Sequence, residues 1–267
     1  MGVWDAYAER IKVRGMTKRE THLTRETRNI DRRLPHSLSY TTAVIYDTAH
    51  CYNIESDEMQ QHAVTQDVAI INSDNLNEKT IIAMPGDTIE SGSLVFWMDQ
   101  YWVVTEQDAN ETLYLKSKMI QCNHLLKWIN AEDEVIMQWC VVEDGTKYLT
   151  GDYEDRDFIT TRGDSRIAIT VARNKETVRL GRKNRFLIDD PDSPDPLAYT
   201  LSKPLKFAGT YQKHGVYKFV LHEVNTTDND NTQLGIADYY KHFPRTDETV
   251  EPPAKPDGSK TERRNWL

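Results

Sequence analysis

Between Gly86 and Trp128, apolar and polar residues interleave in three short runs: Leu94–Trp97, Tyr101–Thr105 and Thr112–Gln121. A two-residue period sends alternate side chains to opposite faces, the pattern of half-buried antiparallel strands. Only Met98, Asp99 and Gln100 separate the first two runs, and Asp108, Ala109 and Asn110 lie between the second and third. Connections this short are hairpins, so the stretch predicts a small β-meander. It contains no nucleophile–base pair, no glycine-rich phosphate loop and no dense set of metal ligands.

The remaining composition limits what can surround this meander. A chain of 267 residues has room for two modest domains, each with a core. Its 38% hydrophobic content, 28% charged content and mean hydropathy of -0.68 imply extensive polar surface. A net charge of -9 argues against a general nucleic-acid coat, because phosphate contacts need excess Lys and Arg. Cys51, Cys122 and Cys140 are too few and odd in number for a disulfide framework, which predicts reduced thiols and cytosolic synthesis. The first residues have scattered charges and no continuous apolar core, so a soluble chain without membrane contact is expected.

Residues 1–34 read as a basic helical arm. Val3, Trp4, Tyr7, Ala8 and Ile11 recur at helical spacing, predicting a short helix over 3–13 before Gly15. Thr17 and Glu20 have capping-box spacing, predicting a second helix from about Lys18 to about Arg32, stopped by Pro35. Across residues 1–33 nine Lys and Arg, including Arg10, Lys12, Arg14, Lys18, Arg19, Arg25 and Arg28, face five acidic residues. The arm is therefore +4 and the remainder -13. A helix polar on nearly all sides either stays solvated with internal Glu/Arg pairs or docks on the acidic surface of a partner or another copy.

Beyond the arm the chain reads as mainly β. Residues 35–150 predict a small β-barrel-like domain, with strands also at Ser39–Tyr46, Asp67–Ile71, Leu125–Ile129, Val135–Val142 and Lys147–Thr150. Thr48–Gln66 is polar and predicts a long loop or hairpin tip. The charged stretch Gly151–Asp157 is the candidate boundary, and residues 151–243 predict an immunoglobulin-like β-sandwich. Its strands are Phe158–Thr161, Arg166–Ala172, Thr177–Leu180, Arg185–Ile188, Leu197–Leu201 and Val216–Val224. Residues 244–267, rich in Pro and charge, predict an extended tail whose terminal Trp266 and Leu267 read either as a docking plug for another subunit or as residues exposed without a role.

Candidate chemistry is sparse. Cys122, His124 and Cys140 are soft zinc-type ligands, but they lack a fourth member and a paired C-x-x-C, so buried thiols are the plainer reading. Asp189, Asp190, Asp192 and Asp195 form an oxygen-rich loop suited to calcium or magnesium, and equally to a turn. Asp228–Asn231 opens like a calcium loop without its downstream Gly and Glu, and Arg162-Gly163-Asp164 reads as a turn. Trp97, Trp102, Trp128 and Trp139 are expected in the core. No cofactor is implied.

Several runs carry a resemblance. Ser73–Asp87, Trp97–Trp128, Val142–Asn174 and Asn184–Ser193 resemble structural proteins encoded among the head and tail genes of tailed phages of Gram-positive hosts. The likeness spans Leu23 to Tyr240, and Cys122–Trp128 following a hairpin is its most distinctive part. It implies a non-enzymatic virion protein of the head-closure or stopper type, assembled in the host cytoplasm. Such a subunit forms a homo-oligomeric neck ring between the portal or adaptor and the tail terminator or tail tube. The ring surrounds genomic DNA and helps retain it, with the Thr48–Gln66 loop as a candidate obstruction of the lumen. The second β-domain departs from compact stoppers. The alternatives are a tail-tip or baseplate component, a metal-dependent enzyme built on Asp189–Asp195 and a cytosolic host-interaction protein.

Overall fold

The computed structural model describes Trp4, Tyr7 and residues 18–108, 114–144, 166–190, 193, 195–207, 209–211 and 213–244. Arg10, Lys12, Arg14, Asp192, Trp266 and Leu267 lie outside them. So do the expected strands at 147–150 and 158–161, the Arg162–Asp164 turn and the charged stretch 151–157.

Helix α1 (Lys18–Arg33) gives way to a 3-10 turn at Leu34–His36, where Pro35 cannot supply the amide a continuing helix needs. The chain then enters a closed antiparallel barrel. Its strands are β1 (Tyr40–Tyr46), β2 (Val64–Asn72), β3 (Glu78–Ala83), β4 (Leu94–Trp97), β5 (Gln100–Gln107) and β6 (Lys116–Gln121), in the order β1-β2-β3-β6-β5-β4. The expected meander is present as β4–β5–β6, and its first turn is tight. Met98 and Asp99 both have positive φ, 49° and 56°, which gives the right-handed strand twist of a two-residue hairpin without the usual Asn-Gly. Ile45, Val68, Ile70, Ile81, Val95, Trp102, Val104 and Met119 fill the interior, so the barrel is a packed core. The expected loop at 48–66 is shorter, because β2 begins at Val64, and it contains the short helix α2 (Asp57–Gln60) capped by Ser56.

The remaining strands form one continuous antiparallel sheet: β7 (His124–Ile129), β8 (Val135–Asp144), β9 (Arg166–Ala172), β10 (Arg185–Leu187), β11 (Ala198–Leu205), β12 (Thr210–Tyr211) and β13 (His214–Val224). The order is β7-β8-β9-β13-β11-β10, with β12 added to β13. The sheet curls until its end strands β7 and β10 face each other, and Trp128 meets Phe186 edge-on across that seam at 6.4 Å. This near-closed barrel replaces the two packed sheets of an immunoglobulin-like sandwich. It also recruits β7 and β8, so the change of sheet falls at Cys122–Asn123 and not at residue 151.

One expected strand is a helix. Of the expected strand Thr177–Leu180, the first three residues fall in α3 (Lys175–Arg179) and Leu180 follows as its C-cap, because the Asn174 side chain accepts from the amides of Glu176 and Thr177 while Thr177 Oγ1 accepts from the Asn174 amide. A capping box of this kind overrides the strand preference of Thr177 and Val178. A final short helix, α4 (Tyr239–His242), closes the described chain. No helix among the described residues is long and apolar enough to cross a membrane.

The two barrels share an apolar seam. Tyr46, Leu94, Val103 and Cys122 of the first pack on Val141, Ala172 and Val216 of the second, and Tyr101 stacks on Trp139 at 4.9 Å. Of the tryptophans expected in the core, Trp102 and Trp128 are buried, while Trp97 and Trp139 are half-buried.

Candidate functional surfaces

Of the cations singled out in the sequence, Lys18, Arg19, Arg25 and Arg28 lie on α1. Lys18, Arg19, Arg25, Arg28 and Arg32 are all exposed, and no residue of the helix is buried. At 3.6 residues per turn Lys18, Thr21, Arg25, Arg28 and Arg32 share one stripe, with Arg19 off to the side. Arg25, Arg28 and Arg32 border a shallow groove with Thr21, Thr24 and Asn29. Among the described residues, none of the ion pairs involves Lys18, Arg25, Arg28 or Arg32. Leu23 and Ile30 are half-covered on the opposite face. The result is an exposed cationic, hydrogen-bonding ridge, a surface suited to carboxylate or phosphate groups.

Asp189 and Asp190 follow β10 and line a cleft of about 300 Å³ with His124, Lys127, Trp139 and Leu234. Burial and the nearby Lys127 lower the His124 pKa, so the imidazole is neutral at pH 7. Lys127 Nζ donates to the Leu234 carbonyl at 3.1 Å, and Asp189 accepts from the Asp190 amide at 2.8 Å. Sequence reading treated His124 and the Asp loop separately. The curl of the second sheet brings them together, and no local signal reports that closure. Among the described residues no group of three or more His, Cys, Asp or Glu is placed to hold a metal ion.

The cysteines occupy apolar or amide-lined sites. Burial pushes the thiols of Cys51 and Cys140 up to about 12 and holds Cys122 well above its ordinary value. Such thiols remain protonated and are poor nucleophiles and poor zinc ligands. Cys51 belongs to a buried network between the barrels. Its Sγ donates to the Thr48 carbonyl at 3.2 Å and accepts from Asn174 Nδ2 at 3.5 Å, while that amide also donates to Gln138 Oε1 at 2.8 Å. Gln138 Nε2 in turn donates to the Ala172 carbonyl at 3.2 Å. These bonds fix the seam.

Thr48, His214 and Glu90 superficially suggest a hydroxyl–imidazole–carboxylate relay at the same seam. Thr48 Oγ1 lies 3.4 Å from His214 Nδ1, and Glu90 Oε2 lies 2.6 Å from the same nitrogen. A relay needs the base and its orienting acid on different ring nitrogens, so this arrangement cannot activate the hydroxyl.

Asp230, in the calcium-like stretch, is held by Arg185. Nη1 and Nη2 each donate to one Asp230 oxygen at 2.8 Å, and Nη1 also donates to Asp238 at 2.9 Å. The carboxylate oxygens are occupied by this fork and by the amides of Thr227 and Asp238, which makes the stretch a strut for the C-terminal loop. Comparison with family models, with curated proteins and with solved structures finds no match to this chain.

Proposed function

We propose that this chain is a non-enzymatic structural subunit of a tailed-phage virion, part of the head–tail connector ring that joins the portal or adaptor to the tail. The observation that carries the proposal is α1. A 16-residue, polar helix with no buried residue is marginal by itself in water, so its stability must come from something it docks against. The exposed cationic stripe supplies the chemistry for that contact, and the body behind it is two packed barrels joined by an apolar seam. Such a division of labour, a rigid body with an adhesive arm, suits an assembly component. The resemblance of Trp97–Trp128 and Val142–Asn174 to phage head and tail proteins gives the assembly its class. In that setting the partners are further copies of the chain, the portal or adaptor, and the tail terminator or tail tube, with genomic DNA in the channel. Imaging of virions carrying a subunit-specific label is expected to place the signal at the neck. A signal confined to the tail tip or baseplate, or no signal in the particle, overturns the connector assignment.

A further inference from the structure

The end of the first barrel at which β1, β3 and β5 begin carries a rim of exposed aliphatic side chains. Leu38 precedes β1 and is 106% exposed, Leu76 in the β2–β3 turn is 88% exposed, and Met98 in the β4–β5 turn is 73% exposed. Ile71, near the end of β2, turns outward because its neighbour Ile70 faces the core, and the Ser39 carbonyl, accepting from the Ile70 amide, extends the β1–β2 ladder toward Leu38 and Ile71. Three separate connections therefore bring exposed apolar side chains to one barrel end, and Trp97 and Trp102 pack together in the cluster of the barrel interior. Isolated exposed apolar residues are ordinary; four on one barrel end form a patch of the kind that other surfaces cover. The 3-10 turn Leu34–His36 links this end directly to α1, so the Arg28 and Arg32 end of the cationic stripe lies next to the rim.

We infer that this barrel end and α1 together form a docking face for a second copy of the chain; the inference rests on the connector reading and names the surface through which its ring closes. The occupant follows from two features taken together. A phosphate backbone would satisfy the arginines but has nothing apolar to cover Leu38, Leu76 and Met98, whereas a protein surface does both. Charge then favours a copy of the same chain: residues 1–33 carry +4, the rest carries -13, and the whole chain at -9 repels a polyanion. Because the cationic and apolar face differs from the acidic surface it meets, the contact is heterologous, which generates a ring or an open filament and not a two-fold dimer.

Sedimentation velocity of the full chain across concentration and ionic strength tests this, with Leu38→Asp/Leu76→Asp and Arg25→Glu/Arg28→Glu variants. Both pairs sit on exposed positions, and unchanged thermal melts would establish that each variant folds. The wild type is expected to form oligomers larger than a dimer that weaken with salt, and each variant to self-associate at least about tenfold more weakly. A wild type that stays monomeric, or variants that assemble normally, would overturn the inference. So would duplex DNA binding that depends on Arg25 and Arg28 without any change in self-association. Oligomers in solution combined with no label at the virion neck would refute the connector assignment and leave this face standing; a neck signal from a protein that is monomeric in solution would do the reverse.

Discussion

Arg185→Met is the most informative single substitution for the second barrel. Arg185 stands at the start of β10 and its guanidinium ties four points of the 225–238 segment: Asp230, Asp238, the Thr227 hydroxyl and the Asn225 carbonyl, the last two at 3.1 Å. The Asp230 side chain is only 1% exposed. Removing one partner of a buried ion pair strands the other charge, which costs about 3–5 kcal/mol. Asp230 would keep two amide donors, from Thr227 at 2.7 Å and Asp238 at 2.8 Å, so the lower end, about 3 kcal/mol, is expected. For a chain of this size that corresponds to a fall in Tm of about 6–12 °C. Arg185→Met/Asp230→Asn, which removes the charge as well, should recover much of the loss. Urea titration gives the global cost, and amide exchange in 225–242 shows whether the segment detaches before the barrel unfolds. A cost under about 1 kcal/mol with unchanged exchange would refute the idea that this pair anchors the segment. The same pair predicts acid sensitivity. Burial alone would raise the Asp230 pKa, but the Arg185 hydrogen bond and the Asp238 and Thr227 amides bring it below its ordinary value. A depressed folded pKa contributes stability that is complete above the unfolded value of about 4 and is lost as pH falls through the folded value.

Two further outcomes follow from the inter-barrel seam. Gly92 has φ +93° and a Cβ there would collide with the Gly215 carbonyl oxygen and press on Thr48, so Gly92→Ala is expected to destabilise by ~2–4 kcal/mol; a neutral result in a urea titration would show that the barrels slide apart freely at this contact. The thiols of Cys51 and Cys140, at about 12, leave roughly one molecule in ten thousand as thiolate at pH 8. A chromogenic disulfide reagent should therefore find no fast-reacting cysteine in the native chain and three after denaturation, and stoichiometric labelling of the folded protein would contradict the buried, inert assignment.

Much of the local structure was legible because it is written in neighbouring residues. The β4–β5–β6 meander follows from short-range alternation and tight connections, and α1 from the capping-box spacing of Thr17 and Glu20 with its stop at Pro35. Strand β3 (Glu78–Ala83) escapes a reading by alternation because its apolar residues fall together at Ile81–Met84, with no two-residue period, although Ser73–Asn75 and Pro85–Gly86 frame it as turns. The α3 helix was read as a strand because its side-chain propensities point one way and its Asn174–Thr177 cap, a matter of geometry, points the other. Among candidate site residues, the exposed cations of α1 were visible in the charge count. The meeting of His124, Trp139 and Asp189 was not, since it depends on β7 and β10 closing across more than fifty residues of sequence.

The sequence by itself determined a chain that is mainly β, a basic arm on an otherwise acidic body, and thiols too few for a disulfide framework. These are properties of composition and of residues within a turn or a strand of one another. Only the tertiary structure decided which sheet each strand joins, that β7 and β8 belong with β9, and that Leu38, Ile71, Leu76 and Met98 share one barrel end. Strand pairing is a long-range choice settled by which apolar faces bury each other, and a two-residue period says which face of a strand is apolar without saying what covers it.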